Sequence, residues 1–162
     1  MPRSRPSGEP TGSRVTPPMK IVLDTNVLVS GLLQPFGPSG QIVLLVASGE
    51  LVLCHDARIL AEYREVLFRE KFRFDPERVD ALLEEIKGGG IAVATRPLAI
   101  RLPDPDDEPF LEIGLAGAVQ YLVTGNVKHY PADARHGLEV LTPRSFIELY
   151  RAEQSGGAPP QH

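Results

Sequence analysis

The sequence predicts an α/β fold, a three-layer α/β/α sandwich built around a mostly parallel sheet. Two observations predict it. Short apolar runs at 20–24, 51–54, 91–93, 121–124 and 138–141 alternate with longer segments whose apolar residues recur at helical spacing. The first run, Ile21-Val22-Leu23, breaks off at Asp24, as a buried parallel strand does when it brings a polar residue to the carboxyl edge of its sheet.

Strand 1 is expected over 20–24, followed by a helix or tight turn over Val27 to Leu33. The prolines and glycines of Gln34-Pro35-Phe36-Gly37-Pro38-Ser39-Gly40 interrupt that segment. Ser39 then caps a helix over 40–48, whose run Ile42 to Val46 predicts deep packing, and strand 2 follows at 51–54. Asp56 caps a helix to about Arg69. Its inward stripe is Ile59, Leu60, Tyr63, Val66 and Leu67, with Glu62 on the border. His55 reads as a loop residue between these elements, and Arg58, Arg64 and Arg69 read as substrate contacts or as partners of Glu62, Glu65 and Glu70.

Asp75-Pro76 opens a helix to about Lys87 that buries Val79, Leu82, Leu83 and Ile86. Gly88-Gly89-Gly90 stops it and reads as a linker, because it lacks the Gly-Lys-Ser/Thr ending of a phosphate loop. A short strand at 91–93 follows. The acidic turn 102–109 leads into a helix over 107–120, with Phe110, Leu111, Gly114 and Ala118 facing the core. Strand 4 covers 121–124 and strand 5 covers 138–141. Thr142 caps a last helix, with Pro143 in its first turn, to about Glu153.

The chain reads as one domain over 19–154, with a disordered extension at 1–18 and a flexible tail at 155–162. Apolar residues make up 42% of the 162, enough for a real core. A single cysteine, Cys54, excludes an internal disulfide framework and a multi-cysteine zinc site. No run approaches a membrane span, and the first residues lack the apolar core of a signal peptide, so no membrane partner is expected and the cytoplasm is the default location. Lys and Arg number 17 against 21 Asp and Glu; with Arg3, Arg5, Arg14 and Glu9 set aside, the body carries 14 against 20, a net charge of -6. Such a body repels a polyphosphate unless cations or local arginines bridge the approach.

Four acids recur where an α/β fold returns to one edge: Asp24 after strand 1, Glu62 after strand 2, and Asp104 and Asp107 before the helix leading to strand 4. Such residues either cap helices and face solvent or gather around Mg²⁺ or Mn²⁺, and spacing alone leaves both readings open. In the metal reading Asp24 is the central ligand, Asp107 shares a metal with it, and Glu62 completes the site or binds an ordered water of the metal. Asp104, flanked by two prolines, is the weaker ligand candidate. Thr25 and Asn26 are candidates to hold the Asp24 carboxylate or a metal-held water, and Lys128 and His129, in the loop after Thr124-Gly125-Asn126, read either as substrate contacts or as ordinary surface groups of a strand-exit loop. The chemistry implied is metal-assisted hydrolysis of a nucleic-acid backbone.

Ile21-Val22-Leu23-Asp24-Thr25-Asn26-Val27, Ile59-Leu60-Ala61-Glu62-Tyr63-Arg64-Glu65-Val66-Leu67, Asp104-Pro105-Asp106-Asp107 with Phe110-Leu111, and Leu122-Val123-Thr124-Gly125-Asn126 together resemble the PIN-domain family, in particular the bacterial toxin components of toxin–antitoxin pairs. The resemblance covers about residues 19–150. It implies strand order 3-2-1-4-5 and a Mg²⁺- or Mn²⁺-dependent endoribonuclease with Asp24, Glu62 and Asp107 as catalytic residues. Asp104 and Asn126 are then further metal ligands, with Thr124 in support. Many relatives carry Asp where Asn126 stands, so one charge is missing here. The resemblance further implies an RNA substrate, a small antitoxin protein and a homodimer. The alternative is a PIN-like RNA-binding or complex-forming protein with weak or no catalysis.

Overall fold

The computed structural model describes residues 17–156, so the extension expected at 1–18 and the tail at 155–162 lie almost wholly outside the described residues. Five strands form the sheet: β1 (Met19–Leu23), β2 (Leu51–His55), β3 (Ile91–Ala92), β4 (Tyr121–Val123) and β5 (Glu139–Leu141). All neighbouring pairs are parallel and the order is β3-β2-β1-β4-β5. β1 is central because Ile21, Val22 and Leu23 carry apolar side chains to both faces, and none of the three reaches solvent.

The helices are α1 (Thr25–Leu33), α2 (Pro38–Ala47), α3 (Ala57–Leu67), α4 (Pro76–Gly89), α5 (Glu108–Ala116) and α6 (Pro143–Gln154). Right-handed crossovers put α1 to α4 on one face, as the chain steps from β1 to β2 to β3. The return from β3 to β4 puts α5 on the other face. The order therefore reverses between β1 and β4, which opens a crevice at their carboxyl ends. No single helix among the described residues is long and apolar enough to cross a membrane.

Several local expectations are corrected. Gly37, not Ser39, precedes the first turn of α2; Pro38 starts the helix and Ser39 is buried inside it. α2 packs on one face only, burying Ile42 and Val46 while Leu44 stands largely exposed. α4 runs through Gly88 and Gly89 instead of ending at Lys87. Gly90, which caps it, is no linker: a Cβ there would lie 2.4 Å from the Leu53 carbonyl oxygen and 2.5 Å from that of Ile86.

His55 is not a loop residue either. It closes β2, is buried, and neither ring nitrogen has a hydrogen-bond partner among the described residues. α5 ends at Ala116, short of 120, because Gly117 caps it and Ala118 turns to φ 50, which leaves Ala118 exposed. Ile113 takes the core position instead. The Asp56 and Thr142 caps form as expected, with side-chain oxygens accepting from the Ile59 and Ser145 amides, each at 3.1 Å.

Candidate functional site

Asp24 follows the last residue of β1, and its amide donates to the Val123 carbonyl of β4. The backbone thus fixes it at the crevice where the sheet order reverses. It occupies the N-cap position of α1, yet its carboxylate makes no capping hydrogen bond. Instead Oδ2 accepts from Thr124 Oγ1 at 2.9 Å and from the Tyr130 hydroxyl at 3.1 Å. Both donors are fully buried. The Thr124 hydroxyl also accepts from the Asn126 amide at 3.0 Å, so the loop after β4 and the carboxylate are built together.

Glu62 projects from the second turn of α3 toward the same edge. Its Oε2 accepts from Thr25 Oγ1 at 2.5 Å, so the residue after Asp24 holds the second acid. Beneath them the Tyr63 hydroxyl donates to the Leu23 carbonyl at 2.6 Å, which anchors α3 to the end of β1. Asp24, Thr25, Asn26 and Glu62 line one cleft of about 450 Å³.

Asp107 approaches from the opposite face, at the N-cap position of α5, and it too leaves the cap unused. Its Oδ2 lies 3.1 Å from His129 Nδ1. Asp104 caps the 3-10 turn Pro105–Asp107 by accepting from the Asp106 amide at 2.9 Å, and it remains half-buried. One ligand atom each of Asp104, Asp107 and His129 fall within 4.8 Å of one another. Asn26 accepts from the Gly125 amide at 3.0 Å and so ties the two loops that border the cleft.

Asn126 and Lys128 are exposed, and neither side chain has a hydrogen-bond partner among the described residues. The arginines in and just after α3 are committed to carboxylates: Arg58 to Asp56 and Glu112, Arg64 to Asp80, and Arg69 to Glu65. Tyr130 escaped the sequence reading. Its signal was an aromatic following the strand-exit loop, large enough to be buried and therefore in need of a partner for its hydroxyl.

The three acids hold their protons abnormally well. Burial raises Asp24, against the pull of the Thr124 and Tyr130 hydroxyls. Burial raises Glu62 as well, helped by the charges of Asp24, Asp106 and Glu65, while the Thr25 hydroxyl opposes it. Asp107 is pushed up to about 6, first by burial and then by Asp24 and Asp104, with His129 opposing.

A carboxyl that titrates at about 6 when folded and at 3.8 otherwise binds more protons in the fold, so its charge destabilises the fold as pH rises through that window. In a chelator, Asp107→Asn is therefore expected to stabilise the protein at pH 7.5 by about 1 kcal/mol, after discounting for solvent screening. The gain should shrink toward zero near pH 4. Paired thermal melts at the two pH values check it, and an equal gain at both would contradict the assigned cause.

A family model described as PIN domain matches residues 20–128, two thirds of the chain, from within β1 to the turn after β4. No curated protein matches the sequence. Domains of this family are usually metal-dependent nucleases, and those nucleases act on RNA. The matched span contains Asp24, Glu62, Asp104, Asp107 and Asn126, and the parallel order β3-β2-β1-β4-β5 agrees with it. The chain belongs to the PIN-domain family.

Proposed function

We propose that the protein is a Mg²⁺- or Mn²⁺-dependent endoribonuclease that hydrolyses RNA phosphodiester bonds, with Asp24, Glu62 and Asp107 as its catalytic carboxylates. One observation carries the reading: Asp24 and Asp107 sit at helix starts, yet neither side chain caps its helix, and their carboxylates meet Thr124 and Tyr130 and His129 at the end of the sheet instead. The donor set fits a hard divalent cation. Carboxylate oxygens dominate it, and burial, joined at Glu62 and Asp107 by the neighbouring acids, disfavours their charge in a way that a bound cation would offset. Asp24, Glu62 and Asp107 would hold the ion, with Asp104 and Asn126 as further oxygen donors. When bound, such an ion offsets charge on the phosphate and makes water a better nucleophile.

The chain's own contribution is preorganisation. Thr124 and Tyr130 both donate to Oδ2 of Asp24, which leaves Oδ1 without a side-chain donor among the described residues. The Thr25 hydroxyl fixes the reach of Glu62, and His129 orients Asp107. Burial keeps competing water from the inner oxygens.

Incubation with a mixed RNA pool and Mn²⁺ is the test. Cleavage is expected with Mn²⁺ and its loss with a chelator. Retention of RNA without turnover, unchanged by metal, would favour the binding-module reading that Asn126 motivates. We extend the proposal to a cytoplasmic toxin component of a toxin–antitoxin pair. The resemblance supports this, and so does the acidic body, which suits a basic inhibitory segment of a small antitoxin protein. A homodimer is the further partner proposed, and the mass of the purified chain in solution tests it.

A further inference from the structure

The turn after β4 brings one more donor to the acids, and it is a nitrogen. Val127–His129 forms a 3-10 turn that is pinned at both ends. The Asn126 amide donates to the Thr124 hydroxyl, and Tyr130, next after His129, is buried with its own hydroxyl on Asp24. The amides of His129 and Tyr130 close the turn on the Asn126 and Val127 carbonyls, at 2.9 and 3.0 Å. The imidazole is thus positioned by the same network that holds Asp24.

The ring stands half-exposed at the end of the sheet. Asp107 is its only hydrogen-bond partner among the described residues, with Nδ1 3.1 Å from Oδ2. Asp104 supplies a third corner, since one ligand atom from each of the three side chains falls within 4.8 Å of the others. It also keeps an oxygen for the purpose: the Asp106 amide takes only Oδ1.

The separation of 3.1 Å fits an ion as well as a hydrogen bond. Ligand atoms about 2.1 Å from an octahedral ion stand about 3 Å apart along an edge. An ion can therefore replace the proton between Nδ1 and Oδ2 with both side chains in place, the neutral ring then carrying its proton on Nε2.

A nitrogen donor does not serve all divalent ions alike. Mg²⁺ prefers oxygen and gives up its waters reluctantly, so an imidazole adds little for it. First-row transition ions accept imidazole, and their affinity for a mixed nitrogen and oxygen site rises from Mn²⁺ to Co²⁺. An oxygen in the place of Nδ1 would remove most of that difference.

We infer that His129 sets the choice of ion: its Nδ1 joins Asp107 and Asp104 as a ligand and makes the site favour first-row transition ions over Mg²⁺. The inference rests on the metal-dependent reading of the acids and goes beyond it, because that reading uses oxygen donors alone.

The test is calorimetric titration of the full chain with Co²⁺, Mn²⁺ and Mg²⁺ in turn, without RNA, for the wild type and His129→Asn. The wild type should bind Co²⁺ more tightly than Mn²⁺, and Co²⁺ at least about tenfold more tightly than Mg²⁺. His129→Asn, whose amide oxygen is a hard donor, should lose about tenfold for Co²⁺, less for Mn²⁺, and less than about twofold for Mg²⁺. A residue that only positions Asp107 would instead lower all three by one common factor. Pulsed electron paramagnetic resonance of the Mn²⁺ complex reads the ligand itself: coupling to a ring nitrogen should change with isotope-labelled histidine and vanish in His129→Asn.

An unchanged ratio of Co²⁺ to Mg²⁺ affinity in the variant, with no nitrogen coupling in the wild type, would overturn the inference. If RNA cleavage then still requires Mn²⁺ and Asp24, the nuclease reading stands and His129 is only a partner of Asp107. A wild type that binds none of the three ions overturns the inference too, and the nuclease reading falls with it only if RNA is also left uncut.

Discussion

Asp24→Asn should lower RNA cleavage by about a hundredfold or more while leaving the fold intact. The size follows from losing a preorganised charge at the centre of the site, where single groups count for two or three orders of magnitude. The fold should survive because the amide oxygen can still accept from Thr124 and Tyr130, the bonds that now reach Oδ2 at 2.9 and 3.1 Å. Burial disfavours the charge of Asp24, so its removal should cost no stability in chelator. In cells, the wild type is expected to slow growth and the variant to be tolerated. A variant that cleaves at more than a tenth of the wild-type rate, in preparations free of other nucleases, would remove Asp24 from the mechanism.

Gly40→Ala has the largest expected effect on stability. Gly40 lies in the first turn of α2, where the chain doubles back from α1 and the two helix axes bend by 103°. A Cβ there would fall 2.1 Å from the Pro35 carbonyl oxygen and 2.4 Å from its carbon, both backbone atoms that cannot swing away. Relief requires shifting the 34–37 turn or the start of α2, at about 3 kcal/mol or more. The melting temperature should fall by roughly 6–12 °C. Gly88→Ala is the matched comparison: within α4, with nothing within 4 Å of the added carbon, it should be neutral or stabilise by up to about 1 kcal/mol. Similar melts for the two variants would mean that the corner is looser than its contacts state.

The sheet was legible because its code is local. Apolar runs and their breaks gave every strand to within a residue or two, and the order reversal at β1 and β4 followed from the family resemblance. What failed depended on contacts between distant segments. Gly88-Gly89-Gly90 reads as a linker by composition, but the close approach of β2 to Gly90 is invisible in the sequence. His55 reads as a loop residue because nothing nearby in the chain says that Gly90 will pack against its ring.

The candidate site divides along the same line. Carboxylates at strand ends can be found from spacing, since the topology returns strand ends to one edge. Whether an acid caps its helix or faces the cleft depends on partners about a hundred residues away, such as Thr124 and Tyr130 for Asp24.

Calorimetric titration of the purified protein with Mn²⁺ at pH 7.5, run beside Asp24→Asn, asks directly whether these acids form one cation site. The wild type should bind, and the variant should bind at least about tenfold more weakly. Indistinguishable isotherms from two equally folded proteins would show that the carboxylates at the mouth of the sheet do not act together on a metal.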